Sequence, residues 1–152
     1  MPTTHTTGDL LTLGLPALAH GCNCRGSMAG GIARQVRERW PALVREYERR
    51  CLAGEFRLGD VMPWETPEGV VVYNLATQVE RGADARLEAI DATVRAALAD
   101  AAARGIDRLG VPHLGSGIGG LRWPDVWKLL EDAGAGSPVE LVVVGRVHRD
   151  RG

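Results

Sequence analysis

Of the 18 basic residues in this 152-residue chain, one is a lysine, Lys128. It lies far from every glycine run, and no GxxxxGK(S/T) segment occurs, which excludes a phosphate-binding P-loop. Cysteine is scarce as well. Cys22, Cys24 and Cys51 are an odd number, and the first two stand too close together to pair easily with each other. Reduced thiols in a cytoplasmic protein are the expectation. No apolar run approaches the ~20 residues of a membrane span. The stretch Met1 to Thr7 has neither the basic start nor the apolar centre of a secretory signal, so no membrane contact is expected. A net charge of −1 and a pI of about 6.4 exclude a global basic field that would recruit nucleic acid; only a local patch bordering a pocket would do so.

What the chain has in excess is glycine, 20 of 152 residues against a usual ~7%. The backbone must therefore adopt unusual conformations or approach something closely. The arginine bias reads as the codon usage of a GC-rich, bacterial genome. The apolar fraction is 45% and the charged fraction 24%, the proportions of a globular protein. The length suits one domain, 1–152 with a core of about 8–146, and burying roughly 70% of the extended chain's surface requires no staple. A monomer is expected.

Hydrophobic patterning predicts a strand over Pro16–His20, then a loop of small residues from Gly21 to Gly31. A helix follows over Ile32–Arg39. Trp40-Pro41 breaks it, and Pro41 opens a second helix that runs to about Cys51. Arg57–Pro63 and Val70–Leu75 read as strands joined by a turn at Thr66–Gly69. Asp84–Arg104 is the clearest helix, with Leu87, Ile90, Val94, Leu98 and Ala101 on one face and Gly105 as terminator. A short strand at Leu109–Pro112, a second glycine loop, a helix from Trp123 to about Ala133 and a strand over Glu140–Val144 complete the order. This alternation predicts an α/β/α fold of three layers with a mixed, mostly parallel sheet of about six strands.

Both glycine loops, Gly26–Gly31 and Gly115–Gly120, sit between a strand and a helix. In an α/β sheet such loops lie at the carboxyl ends of the strands, where ligands bind. Consecutive N–H groups beside a helix start form an anion site. Two such loops point to a pocket for a nucleotide diphosphate.

Four segments, Gly8-Asp-Leu-Leu11, Ala19-His-Gly-Cys-Asn23, Met28-Ala-Gly-Gly-Ile-Ala33 and Pro112-His-Leu-Gly-Ser-Gly-Ile118, resemble the macrodomain pattern, in macrodomain order. Asn74–Gln78 and Leu121-Arg-Trp123 look like the branch of terminal ADP-ribose protein glycohydrolases. The resemblance implies binding of ADP-ribose. Asp9 would accept from the adenine amino group beside the Leu10 backbone. Asn23 would reach the distal ribose. Met28, Ala29, Gly30, Gly31 and Ile32 would surround the diphosphate through backbone N–H groups. His113, Leu114, Gly115, Ser116, Gly117, Ile118 and Gly119 would form the second phosphate loop, and Arg146 would lie near the adenine.

The chain departs from that branch at its chemistry. Gln78 stands where those relatives carry a lysine nucleophile, and Gly119 where they carry an acid/base aspartate. An amide is neither nucleophile nor base, so a hydrolase built on this sequence must use water. Gln78 would orient that water or polarise the scissile ester carbonyl, with the substrate's own phosphate or ribose hydroxyl assisting, and Asn23 at the distal ribose is the second catalytic candidate. An ester between ADP-ribose and a protein Asp or Glu, being labile, suits such a site better than poly(ADP-ribose). The alternatives are a reader module without turnover, an ADP-ribose 1″-phosphate phosphatase and an O-acetyl-ADP-ribose deacetylase. Glu80 and Asp84 read as a solvated loop residue and a helix N-cap. The C-x-C spacing with isolated His20 and His113 falls short of a zinc set, so neither metal nor cofactor is expected. A cysteine–histidine nucleophile pair is the weaker reading of Cys22 and Cys24 beside a small apolar filler.

Overall fold

In a computed structural model, residues 1–146 are described. The elements are β1 (Thr4–Thr7), β2 (Ala17–Cys22), α1 (Gly31–Arg39), α2 (Pro41–Leu52), β3 (Val61–Glu65), β4 (Val71–Ala76), α3 (Leu87–Ala103), β5 (Arg108–Val111), α4 (Trp123–Ala135) and β6 (Glu140–Gly145). The six strands form one sheet in the order β1-β6-β5-β2-β4-β3. Every neighbouring pair is parallel except β3 with β4, the hairpin. The expected mixed, mostly parallel sheet of about six strands is the one observed.

Two cores lie on opposite faces of the sheet. Alternate strand residues such as Ala19, Tyr73, Val111 and Val143 pack against Ile90 and Val94 of α3 and Val126 and Leu130 of α4. Their neighbours Leu18, Val72, Val142 and Val144 pack against Val36 of α1 and Leu43, Val44 and Tyr47 of α2. The near-continuous apolar runs of β4 and β6 follow from this cover on both sides. A polar link crosses the second core. His20 Nε2 lies 2.7 Å from Asn74 Oδ1, and Asn74 Nδ2 donates to the Met62 carbonyl at 2.9 Å.

Several boundaries differ from the sequence pattern. β1 is made of polar, mostly exposed residues and carries no apolar alternation; its contribution is backbone pairing with β6 at the sheet edge. β2 continues through Gly21 and Cys22, so the first glycine loop starts at Asn23. β3 begins at Val61 rather than Arg57. Arg57–Asp60 is a turn, closed by the Asp60 N–H on the Arg57 carbonyl and the Arg57 N–H on Asp60 Oδ2. α3 begins at Leu87 rather than Asp84. Asp84 is not a helix cap: its Oδ2 accepts the N–H groups of Val79 and Glu80, at 3.0 and 2.8 Å, and braces the loop before the helix. The turn at Thr66–Gly69 stands where expected, with Gly69 at φ +88°.

Candidate functional site

The parallel strands send their carboxyl ends to one edge of the sheet, and the loops that leave β2, β4 and β5 are joined there. The Cys24 N–H donates to the Val79 carbonyl at 3.0 Å and Cys24 Sγ to the Gln78 carbonyl at 3.4 Å, joining the loops after β2 and β4. The Ala85 N–H donates to the Gly119 carbonyl at 3.2 Å, joining the loops after β4 and β5. The Gly8 N–H donates to the Gly145 carbonyl at 2.9 Å, which places Asp9 beside the end of β6.

The two glycine loops meet. A methyl group on Gly30 would stand 3.8 Å from Ile118 Cδ1, so the exposed Ile118 side chain reaches across from the second loop to the first. α1 starts at Gly31, with Gly30 as an extended N-cap. Among the described residues no side chain caps this end and its first turn has no acidic residue, which leaves the backbone N–H groups of the helix start without a side-chain partner. Gly31 has φ +59°, a conformation that favours glycine. Arg146, expected beside the adenine, sets its guanidinium over Gly31, with Nη2 3.4 Å from where a methyl there would stand.

The remaining expected residues divide into side chains that face the trough and side chains that build its walls. Asp9 is exposed, and its Oδ1 accepts the Leu11 N–H at 3.0 Å, which orients the carboxylate. Leu10, Met28 and Leu114 are buried in the cores and present backbone only. Ala29 is exposed and Ile32 half-buried at the helix start. Ser116 turns back, its hydroxyl donating to the His113 carbonyl at 3.1 Å. Gly115, at φ +69°, is enclosed by Ile90, Ala85 and Leu121. Gly117 is exposed with open space around it. The His113 ring is stacked on Trp123, with centroids 3.8 Å apart, and its Nε2 faces His5.

Asn23 and Gln78 are both tied into their own loops. Asn23 Oδ1 accepts the N–H of Arg25 at 2.9 Å, and its Nδ2 donates to the Ser27 carbonyl at 2.9 Å. The Tyr47 hydroxyl lies 2.7 Å from the Asn23 carbonyl oxygen and 3.0 Å from its Oδ1. One Nδ2 hydrogen is left for a ligand. Gln78 Nε2 donates to the carbonyls of Glu80 and Gly82, at 2.7 and 2.9 Å, which leaves Oε1 as its free group. Glu80 is ion-paired to Arg25. Tyr47 was missed in the sequence; its only signal was a place on the buried face of α2 with Leu43 and Val44.

Cys22, at the end of β2, and Cys24, in the loop after it, are both held towards the neutral thiol. Burial pushes the Cys22 thiol far above its ordinary range, and burial pushes Cys24 up to about 11. His20, 3.7 Å from Cys22 Sγ, is held down to about 4 by burial and takes no proton at neutral pH. Among the described residues no three His, Cys, Asp or Glu side chains group to hold a metal ion.

At Gly119 an added Cβ would stand 2.7 Å from the Gly115 carbonyl oxygen and 2.8 Å from Ala85 Cβ. The loop is closed on itself at that point, and a side chain does not enter it unless the backbone shifts.

The chain is 34% identical over 135 residues to the DNA ADP-ribosyl glycohydrolase of Mycobacterium tuberculosis, covering 86% of this chain and 38% of that protein. It thus spans well under half the length of that relative. It is 28% identical over 141 residues to the ADP-ribose 1″-phosphate phosphatase of Candida albicans, covering 82% of this chain and 89% of that one. The solved macrodomain of Mycobacterium tuberculosis DarG superposes with a TM-score of 0.87 at 33% identity, covering 93% of this chain and 96% of that one. A family model described as Macro domain matches residues 19–130, from β2 through both glycine loops into α4. The family model covers more than half of the chain, and the chain belongs to the macro domain family.

Proposed function

We propose that this protein binds ADP-ribose in the trough between its glycine loops and hydrolyses the bond joining mono-ADP-ribose to an Asp or Glu side chain of a modified protein, with water as the nucleophile. One observation carries the binding: loops from neighbouring strands converge within 4 Å at an uncapped helix start, with Arg146 over the same glycine. That arrangement suits a diphosphate. The named relatives at 34% and 28% identity act, by their names, on ADP-ribosyl groups or ADP-ribose phosphates. Asp9, its carboxylate oriented by Leu11, would receive the adenine amino group.

The chemistry follows from what the trough contains. Neither a lysine nor a carboxylate stands at positions 78 and 119. Gln78 Oε1 and the second Nδ2 hydrogen of Asn23 remain free to align a water. Alignment and electrostatics without a strong base suffice for a labile ester more readily than for an N-glycosidic bond. A second reading, release of ADP-ribose from DNA, is favoured by the name of the 34% identical relative.

The test offers the protein three substrates: ester-linked ADP-ribosyl protein, ADP-ribosylated DNA and ADP-ribose 1″-phosphate. Release of ADP-ribose from the first at a higher kcat/KM than from the others is the expected result. Faster release from DNA selects the second reading. ADP-ribose binding by calorimetry with no turnover of any substrate replaces the enzyme with a reader module.

A further inference from the structure

One side-chain cluster beside the trough has no role in the reading above. His5, on the edge strand β1, faces His113, which opens the second glycine loop. Their Nε2 atoms are 2.9 Å apart. The His113 ring lies flat on Trp123, the planes inclined by 2°, and His5 meets Trp127 edge-on with centroids 6.0 Å apart. β6 floors the pair with a glycine: a methyl on Gly145 would stand 3.2 Å from His113 Nε2 and from His5 Cε1. The His113 carbonyl accepts both the hydroxyl and the N–H of Ser116, at 3.1 and 3.4 Å. Movement of His113 is therefore passed to the loop.

We propose that His5 and His113 share a proton across this contact and that His5 is a positioning residue, holding the second glycine loop in its ligand-receiving form only while one of the two Nε2 atoms is unprotonated. The inference rests on the ADP-ribose reading for its ligand, not for its geometry.

In the neutral pair one ring donates through Nε2–H and the other accepts at a bare Nε2. A first added proton goes to the free Nδ1 of the donor ring and leaves the bridge intact. A second must go to the accepting Nε2. Two N–H groups on two cations then face each other at 2.9 Å, and the contact opens. The two steps belong to the pair rather than to either ring. Burial, and then the neighbouring His5, hold His113 below the ordinary histidine value. Because the bridge survives the first added proton and not the second, the assembled loop is complete at neutral pH and is lost as acid adds the second proton. The groups around the pair are few. β1 contributes His5, and β6 contributes Gly145 with no titratable side chain. α4 contributes the two indoles, while Arg122, Asp125 and Lys128 near its start make no hydrogen bond or ion pair with either ring among the described residues. His113 is stacked on Trp123 and turned to His5, so its charge is not aimed at a ligand phosphate.

The experiment measures ADP-ribose affinity by calorimetry from pH 7.5 to pH 5.0, for the wild type and His5→Gln, with the unfolding midpoint checked at each pH. The wild-type Kd is expected to rise about five-fold or more towards pH 5.0. In His5→Gln, whose neutral amide bridges His113 in either protonation state, it is expected to change less than about two-fold. Parallel profiles overturn the inference, as does tighter wild-type binding at low pH. Tryptophan fluorescence reads the pair without ligand. A cationic His113 on Trp123 quenches it, and removing the His5 charge is expected to move that quenching step to higher pH. No shift of the step overturns the shared proton. A shift of the step between the two proteins, with no ADP-ribose binding by the wild type at pH 7.5, instead overturns the ADP-ribose reading and the loop-positioning role built on it.

Discussion

Gly119 and Gln78 stand at the two positions where the resemblance to the glycohydrolase-like branch implies reactive groups, and the structure gives each a different surrounding. Gly119 closes a loop in which a Cβ would meet backbone 2.7 Å away. Gly119→Asp is therefore expected to lower stability by about 1–3 kcal/mol, seen as a lower Tm, and to add no turnover. Gln78 spends both amide hydrogens on the carbonyls of Glu80 and Gly82. Gln78→Ala is expected to lower kcat about ten-fold or more while the ADP-ribose Kd moves less than about three-fold. An equal fall in both would point to plain binding. The residue types at 78 and 119 were legible in the sequence. That the first braces its loop and the second has no space was not, because both facts depend on neighbours 2 to 34 positions away that only folding brings together.

At the level of elements, α2 supports the site through one hydroxyl. Tyr47 is buried on the helix, and its oxygen lies 2.7 Å from the Asn23 carbonyl. Tyr47→Phe is expected to cost about 1 kcal/mol, read as a lower urea midpoint, and to weaken ADP-ribose binding as the Asn23–Ser27 loop loosens. Its pattern announced a core residue, and the polar tip could not be assigned a partner 24 residues away. The helix start at Gly31 is the second such case. Gly31→Ala places a methyl 3.4 Å from Arg146 Nη2 at a positive φ. Roughly 1 kcal/mol of backbone strain is expected. The ADP-ribose Kd should rise several-fold, and the helical circular dichroism should persist. Strands and helices with strong apolar periodicity, β4, α3 and β6, stood where the pattern put them to within a few residues. β1 and the start of β3 did not, since one is polar edge strand and the other follows a turn held by Asp60.

For the molecule as a whole, the most consequential buried group is His20. Burial outweighs its hydrogen bond to Asn74 and lowers it to about 4. The folded state therefore binds fewer protons than the unfolded chain between pH ~6.5 and about 4. Its stability contribution is complete above that window and lost as pH falls through it, by roughly 3 kcal/mol in total. Urea midpoints from pH 7 to pH 4.5 should fall accordingly, and a His20→Asn variant should show a flatter profile. Carboxylates such as Glu46, held low by hydrogen bonds from Arg49 and Arg50, add to acid sensitivity only below pH ~4.5, so the upper part of the window reports histidine.

The sequence by itself determined the layered α/β architecture, because apolar periodicity dictates which faces must be covered. It determined the two glycine loops, because only glycine leaves backbone N–H groups so accessible. With one lysine, Lys128 in α4, it also excluded a lysine nucleophile from the trough. The tertiary structure alone decided which groups converge there. Ile118 lies over Gly30, Arg146 over Gly31, Tyr47 beneath Asn23, and His5 against His113. Those contacts join residues up to 115 positions apart, across strands whose order in the sheet is not their order in the chain. No local pattern encodes such pairs, since each depends on the register and twist of the whole sheet.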